Sequence, residues 1–113
     1  MAELIVDFRD EDRDKFEAIK NGSKKIEVRA ATEKYRTYEP GDKIILTCGE
    51  DKYETEITQV DHFRSIEDLF NYYHYSEVLR EATSADEAQL IIEASPDYEE
   101  KISKLGVMAF KLK

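Results

Sequence analysis

The chain changes its hydrophobic period abruptly between residues 14 and 29. Phe16 and Ile19 lie three residues apart, which predicts a short helix over residues 14–20. Gly22, preceded by asparagine, is suited to end that helix. From residue 24 charged and apolar residues alternate instead, which predicts a half-buried strand over residues 24–30. The chain therefore contains a helix–turn–strand unit, and the remaining segments have to pack around it.

The predicted strand separates apolar from charged side chains. Its apolar residues, Ile26 and Val28, point to one face. Charged residues occupy the other face and the start of the strand: Lys24, Lys25, Glu27 and Arg29. One interpretation is that this charged row is the solvated face of a sheet. The other is a binding site, because arginine offers a planar fork of donors, lysine a point charge and glutamate an acceptor or base.

The rest of the chain predicts four more strands and several helices. A Pro40-Gly41 turn introduces one strand, and two capping-box patterns, at Ser65 and Ser84, begin helices. A further short helix is expected between residues 97 and 104. The predicted strands cover residues 4–8, 43–47, 52–60 and 107–112. This order indicates an α+β fold: a small, mostly closed β-barrel with flanking helices and a helical insert before the last strand.

Length and composition predict one domain over residues 1–113 and limit its chemistry. A single cysteine, Cys48, excludes an intramolecular disulfide, and no His/Cys cluster has zinc-site spacing, so neither a metal nor a cofactor is expected. The N-terminus lacks the basic and apolar regions of a signal peptide, and no apolar run reaches membrane-spanning length. We therefore expect a cytoplasmic protein without a membrane partner.

Charge is distributed unevenly along the chain. The net charge is −9, which argues against duplex DNA as a partner. Residues 20–43, however, hold seven lysines and arginines against four carboxylates, whereas residues 81–100 hold seven carboxylates and no lysine or arginine. A basic segment on an acidic body fits a small or single-stranded anionic ligand. The acidic segment itself suggests a third possibility, a surface that binds a basic protein.

Residues 31–39 lack a regular period and predict a loop that carries aromatic and basic side chains. Tyr35 and Arg36 together can stack on a nucleotide and neutralise its charge. The alternative for Tyr35 is that its ring folds back over the edge of the core. Both interpretations remain open for Tyr35, and Arg36 is a candidate ligand-binding residue.

Several of these segments together resemble a known family. A helix ending in Lys-Asn-Gly is followed by Ser-Lys-Lys-Ile-Glu-Val-Arg, then by Pro-Gly-Asp-Lys-Ile and a terminal Gly-Val-Met-Ala-Phe. This combination, from Phe16 to Phe110, resembles the small stand-alone prokaryotic members of the ASCH domain family. The resemblance implies a PUA-like β-barrel. It also implies a role in RNA metabolism, with single-stranded RNA or a modified nucleoside as the partner.

The resemblance also implies candidate catalytic residues. In the amidohydrolases of the family, which deacylate N4-acetylcytidine, a lysine, a threonine three residues later and a helical glutamate act together. Aligned through Gly22, these positions fall on Lys24, Glu27 and Glu77. Glu27 departs from the family pattern, because a carboxylate cannot act as a hydroxyl nucleophile, although it can act as a base for water.

Three functions follow from these features. The leading hypothesis is a binding module for RNA or a modified nucleoside, with Lys24, Lys25, Arg29, Tyr35 and Arg36 as ligand-binding residues. The second is a hydrolase for N4-acylated cytidine, or a related enzyme that cuts RNA, in which Lys24 or Glu27 activates water and Arg29 stabilises the oxyanion. The third is a protein-interaction module that uses the acidic surface.

Overall fold

The computed structural model describes residues 2–113, which form a sheet with helices on both of its faces. Two single 3-10 turns, Asp10–Asp12 and Tyr35–Thr37, lie in the connections. The strands are β1 (Glu3–Phe8), β2 (Ile26–Ala30), β3 (Lys43–Cys48), β4 (Asp51–Phe63) and β5 (Val107–Leu112). The helices are α1 (Arg13–Lys20), α2 (Ile66–Tyr72), α3 (Tyr75–Val78), α4 (Ala85–Glu93) and α5 (Tyr98–Leu105).

The five strands form one curled sheet in the order β1-β3-β4-β5-β2. β1 runs parallel to β3, and the other neighbouring pairs are antiparallel. β1 and β2 are therefore the two edges, and the sheet is a half-barrel with a seam between them. The predicted fold class is confirmed, although the seam is less closed than the sequence suggested.

Both faces of the sheet are buried, each by its own core. The concave face and α1 enclose one cluster, which includes Phe16, Leu46 and Phe110. The convex face packs on α2–α5 through a second cluster, which includes Ala109. Strand β5 contributes to both cores, because its side chains alternate between the two faces. This explains why residues 107–110 are all buried.

Strand β2 places its charged residues on the concave face of the sheet. In the antiparallel register Glu27 lies opposite Phe110, and Arg29 lies opposite Met108. Residues directly opposite in such a pair project to the same side, and Phe110 and Met108 belong to the concave core. The solvated-face interpretation therefore holds for Lys25, which is exposed, and is wrong for Glu27, which is buried.

The end of β4 and the start of β5 approach closely at a glycine. The β4–β5 register shifts between Ile57 and Gln59, and the strand then continues to Phe63, beyond the predicted end at residue 60. Gly106 has a φ of 86°, and a Cβ atom there would lie 2.3 Å from the carbonyl oxygen of Phe63. This position therefore requires glycine for two reasons, its backbone conformation and the lack of space.

The helices are short. In residues 2–113, none of them combines the length and apolar character that crossing a lipid bilayer requires.

Candidate functional site

A cleft of about 370 Å³ lies at the seam of the half-barrel. One side is formed by the end of β1 and the 3-10 turn that follows it, and the other by β2. The α4–α5 connection and the end of α3 complete its wall. The cleft therefore occupies the gap that the open sheet leaves between its two edge strands.

Three charged side chains form the floor of this cleft. Nζ of Lys24 lies 3.5 Å from Oε1 of Glu27, and Nη2 of Arg29 lies 3.5 Å from Oε2 of the same carboxylate. The Lys24 and Glu27 side chains are 7% and 5% exposed, and that of Arg29 is 23% exposed. The structure thus brings together the three residues that the sequence singled out, with Lys24 and Glu27 buried and Arg29 half-buried.

The turn before β2 fixes the position of Lys24. Gly22 adopts a φ of 83°, which ends α1. The Lys24 backbone N–H then donates to the carbonyl oxygen of Ala18 at 2.9 Å, and the hydroxyl of Ser23 donates to the same oxygen at 3.1 Å. Lys24 therefore leaves a well-anchored turn, and its side chain is directed into the cleft and not along the surface.

The free edge of β2 holds the Glu27 carboxylate in place. The carbonyl of Lys25 accepts a hydrogen bond from the backbone of Leu112 on β5. Because backbone groups alternate in direction along a strand, the N–H of Val28 points away from β5 to the free edge. There Oε1 of Glu27 accepts it at 3.1 Å. The Glu27 carboxylate thus accepts a hydrogen bond from the Val28 amide at the free edge and also lies next to Lys24 and Arg29.

Electrostatics keep Glu27 and Arg29 ionised. Burial acts to raise the pKa of Glu27, but the charges of Lys24 and Arg29 and the hydrogen bond from Val28 lower it below its usual 4.5. Burial likewise acts to lower the pKa of Arg29, whereas the Glu27 carboxylate and the nearby phenols of Tyr98 and Tyr35 raise it, and the net change is upward. Glu27 is therefore a poor proton acceptor near neutral pH.

Arg29 reaches across the seam to the opposite edge strand. Its guanidinium carbon lies 6.0 Å from the centre of the Phe8 ring, at the end of β1. Among the side chains of residues 2–113, its Nε is the one fully buried polar atom without a hydrogen-bond partner. The guanidinium is thus positioned by packing, and its hydrogen-bonding capacity is only partly used.

A second charged group forms the rim opposite β2. The carboxylate of Asp12 accepts hydrogen bonds from Arg9 at 3.0 Å and from Lys15 at 3.3 Å. Burial acts to raise the pKa of Asp12, but these two cations lower it overall. Arg9 also pairs with Glu11 at 2.9 Å. The rim cations are consequently neutralised by their own neighbours.

An apolar wall faces the charged floor. It is made of side chains from α3 and α4 and the segments that follow them: Val78, Leu79, Ile91, Ile92 and Pro96. No role at this site was predicted from the sequence for α4. The sequence signal for α4 was the adjacent pair Ile91 and Ile92, which are only partly buried in the structure.

Four other predicted site residues lie outside the cleft lining. Lys25 and Arg36 are exposed, and the Tyr35 ring packs 6.4 Å from that of Phe110. Oε1 of the exposed Glu77 accepts the backbone N–H of His74 at 3.3 Å, as part of the capping box of α3. The ligand-binding and catalytic roles of these residues stay predictions without support from the geometry of the cleft.

The arrangement can bind an acceptor-rich group at its floor and an apolar or planar group against its wall. Within the described part of the chain, no three His, Cys, Asp or Glu side chains cluster closely enough to hold a metal ion. Lys24, Glu27 and Arg29 are the charged groups at the floor of the cleft.

Comparisons with known proteins agree with this fold. The family model described as ASCH domain matches residues 13–113. A crystal structure of hypothetical protein PH0355, from Pyrococcus, is 27% identical with a TM-score of 0.80, and the match covers 98% of this chain and 97% of that one. The solution NMR structure of protein PF0455 from Pyrococcus furiosus is 27% identical with a TM-score of 0.75, covering 98% and 96%. No curated protein matches significantly. The chain therefore belongs to the ASCH domain family.

Proposed function

We propose that the seam cleft binds single-stranded RNA or a modified nucleoside derived from it. The cleft volume, about 370 Å³, lies at the lower end of the size range of small-molecule sites. Such a volume suits one nucleoside unit and not a duplex. ASCH domains are in general similar to RNA-binding domains, and the family assignment supports the same class of ligand.

One observation carries the proposal: Lys24 is buried in the cleft yet weakly bonded. An ammonium group has three donors. Within residues 2–113 the Lys24 side chain has a single hydrogen-bond partner, Glu27, at 3.5 Å. Burying a charge without full hydrogen bonding is costly unless a partner completes its shell. A ligand acceptor at the floor of the cleft would supply that partner.

The two sides of the cleft suggest how a nucleotide would lie. Its acceptor group would contact Lys24 and Arg29 at the floor. Its base would pack against the aliphatic wall that includes Ile91 and Ile92. The strongly acidic remainder of the chain, with a net charge of −9 overall, would repel a long duplex and leave local contacts to decide affinity.

Binding by a matched pair of lysine variants tests the proposal. Fluorescence anisotropy with labelled single-stranded oligonucleotides at low salt gives the affinity of the parent protein. Charge-assisted hydrogen bonds are worth about 1.5–3 kcal/mol, so Lys24→Met should weaken binding roughly tenfold or more. Lys25→Met, one residue away but exposed, should change it less than about twofold.

Two results would contradict the proposal. One is a parent protein that binds neither single-stranded RNA nor nucleosides at low salt. The other is an equal loss in the Lys24→Met and Lys25→Met variants, because that would indicate a general charge effect and not a site.

Binding is favoured over hydrolysis by the state of Glu27. A carboxylate with a lowered pKa, held by two cations, is a weak general base, and this position lacks a hydroxyl nucleophile. Incubation with N4-acetylcytidine should therefore release no acetate above the level of the Lys24→Met variant. Acetate release that Lys24→Met abolishes would replace the binding proposal with a hydrolase.

A further inference from the structure

The charges that line the cleft nearly cancel. Four cationic side chains contribute to the lining: Arg9, Lys15, Lys24 and Arg29. Three carboxylates oppose them: Asp7, Asp12 and Glu27. The floor alone, made of Lys24, Arg29 and Glu27, has the same excess of one positive charge. The lining as a whole and the floor by itself therefore each carry one net positive charge.

The charged side chains of the rim already have hydrogen-bond partners. Asp12 accepts from both Arg9 and Lys15, and the carboxylate of Asp7 accepts from the hydroxyl of Thr47 at 2.7 Å. Each of these side chains makes a hydrogen bond of 3.3 Å or less. The uncompensated positive charge thus lies at the floor, on Lys24 and Arg29.

The floor also has more donors than acceptors. Lys24 is 93% buried at its side chain and donates only to Glu27 among the described residues, at 3.5 Å. Nη2 of Arg29 makes a contact of the same length. Two contacts of 3.5 Å to one carboxylate are at the weak limit of hydrogen bonding. An incoming anion would therefore meet donors that are available without breaking a short bond.

We infer that the cleft selects a ligand group with one negative charge, the phosphodiester link of RNA, over the terminal phosphate of a nucleotide. This inference rests on the proposed RNA or nucleoside ligand. A phosphodiester balances the single positive charge of the floor. A phosphate monoester carries about −1.5 to −2 near neutral pH, and its second charge would be buried without a partner, next to Glu27.

Three matched probes test the inference: uridine, uridine 5′-monophosphate and the methyl ester of that monophosphate. They share one nucleoside, and at pH 7.5 uridine carries no charge, the monoester about two negative charges and the methyl ester one. Isothermal titration at constant ionic strength is performed at pH 7.5 and at pH 5. Uridine does not titrate between these values, and the monoester, with a second pKa of about 6, becomes a monoanion at pH 5.

We expect the methyl ester to bind at least about tenfold more tightly than the monoester at pH 7.5. At pH 5 the affinity of the monoester should rise at least about tenfold and at most about thirtyfold, the upper limit being the increase in its monoanionic fraction, whereas that of the methyl ester should change little. Glu27 and Asp12 have pKa values below their usual ones, so both stay ionised at pH 5. The histidines, His62 and His74, lie outside the cleft lining.

The outcomes separate this inference from the proposed function. Equal or tighter binding of the monoester at pH 7.5 would overturn the charge selection and leave nucleotide binding intact. Equal affinity for uridine and the methyl ester would overturn it as well, because the base alone would then account for binding. If none of the three probes bound but an RNA oligonucleotide did, a one-charge site at the floor would be excluded. If the oligonucleotide also failed, the proposed function would fail too.

Discussion

The guanidinium of Arg29 lies 6.0 Å from the centre of the Phe8 ring, and this contact joins the two edge strands of the sheet. Phe8 ends β1, and Arg29 belongs to β2. These strands are at opposite ends of the sheet order and do not pair with each other within the described residues. The half-barrel is therefore held at its seam partly by the residues that form the floor of the cleft, so substitutions there should affect both stability and the proposed binding.

Replacing Arg29 by lysine should separate the contribution of its positive charge from that of its planar guanidinium group. The variant Arg29→Lys keeps the charge but loses the planar group over Phe8, and we expect a loss of about 1 kcal/mol in the free energy of unfolding. Single-stranded RNA affinity should fall about fivefold or more, since the donor fork is lost. Urea unfolding and anisotropy measure the two effects. Arg36→Lys, an exposed control, should change neither, and an equal effect in both variants would contradict the assignment.

Glu27 should give the protein a characteristic dependence of stability on acid. Its pKa in the folded state is below the usual 4.5, so its contribution is fully present above about pH 4.5 and is lost as pH falls through the folded-state value. Glu27→Gln leaves two buried cations unpaired and should cost about 3 kcal/mol at pH 7.

Free energies of unfolding measured over a range of pH test whether the charge of Glu27 stabilises the fold. Unfolding free energies of the parent and of Glu27→Gln should converge as pH falls below 4.5, because the parent carboxylate then becomes protonated. The exposed Glu50→Gln is the control and should follow the parent within about 0.5 kcal/mol throughout. A difference between parent and Glu27→Gln that stays constant from pH 7 to pH 3 would show that charge is not the cause.

Two glycines with similar backbone angles should respond differently to alanine. Gly22 and Gly106 have φ values of 83° and 86°, but a Cβ atom at Gly22 would meet no atom within 4 Å. Gly22→Ala should cost about 1–2 kcal/mol, the strain of a left-handed residue. Gly106→Ala should cost clearly more, since its Cβ would overlap a backbone oxygen. Thermal unfolding compares them, and equal costs would refute the steric argument.

The apolar wall should contribute to affinity through Ile91 and not through its neighbour. Ile91 lines the cleft, whereas Leu90 is 70% exposed on the outer side of α4. Truncation of Ile91 to alanine removes apolar contact area worth about 1–2 kcal/mol, so the affinity for RNA or nucleoside should fall roughly fivefold or more. Leu90→Ala should leave it unchanged. If Leu90→Ala weakened binding as much, the ligand would lie elsewhere.

Local patterns predicted the fold because several segments were consistent with one another. Alternation identified β2 and β5, and the Pro40-Gly41 turn and the capping residues Ser65 and Ser84 marked where elements begin. These signals depend on neighbours in the sequence, which is why they could be recognised without coordinates. The same applies to Lys24, Glu27 and Arg29 as a group, because they lie on one short segment.

Burial and the walls of the site could not be predicted in this way. An alternating row of charges is compatible with a solvated face, and only the pairing of Glu27 with Phe110 across β2 and β5 shows that it faces the concave core. The wall residue Ile91 reaches the cleft through packing between distant segments. Tyr35 was equally consistent with stacking or packing, and its contact with Phe110 is tertiary.

The proposed RNA contact at the seam cleft can be located directly. Amide chemical-shift changes of the isotope-labelled protein, titrated with a short single-stranded oligouridine at low salt, locate that contact. We predict that the largest changes cluster at Lys24, Val28 and Ile91, at the seam, with little change at the exposed Arg36 and Lys111. Large changes at Arg36 and Lys111, with Lys24 and Ile91 unaffected, would contradict the account.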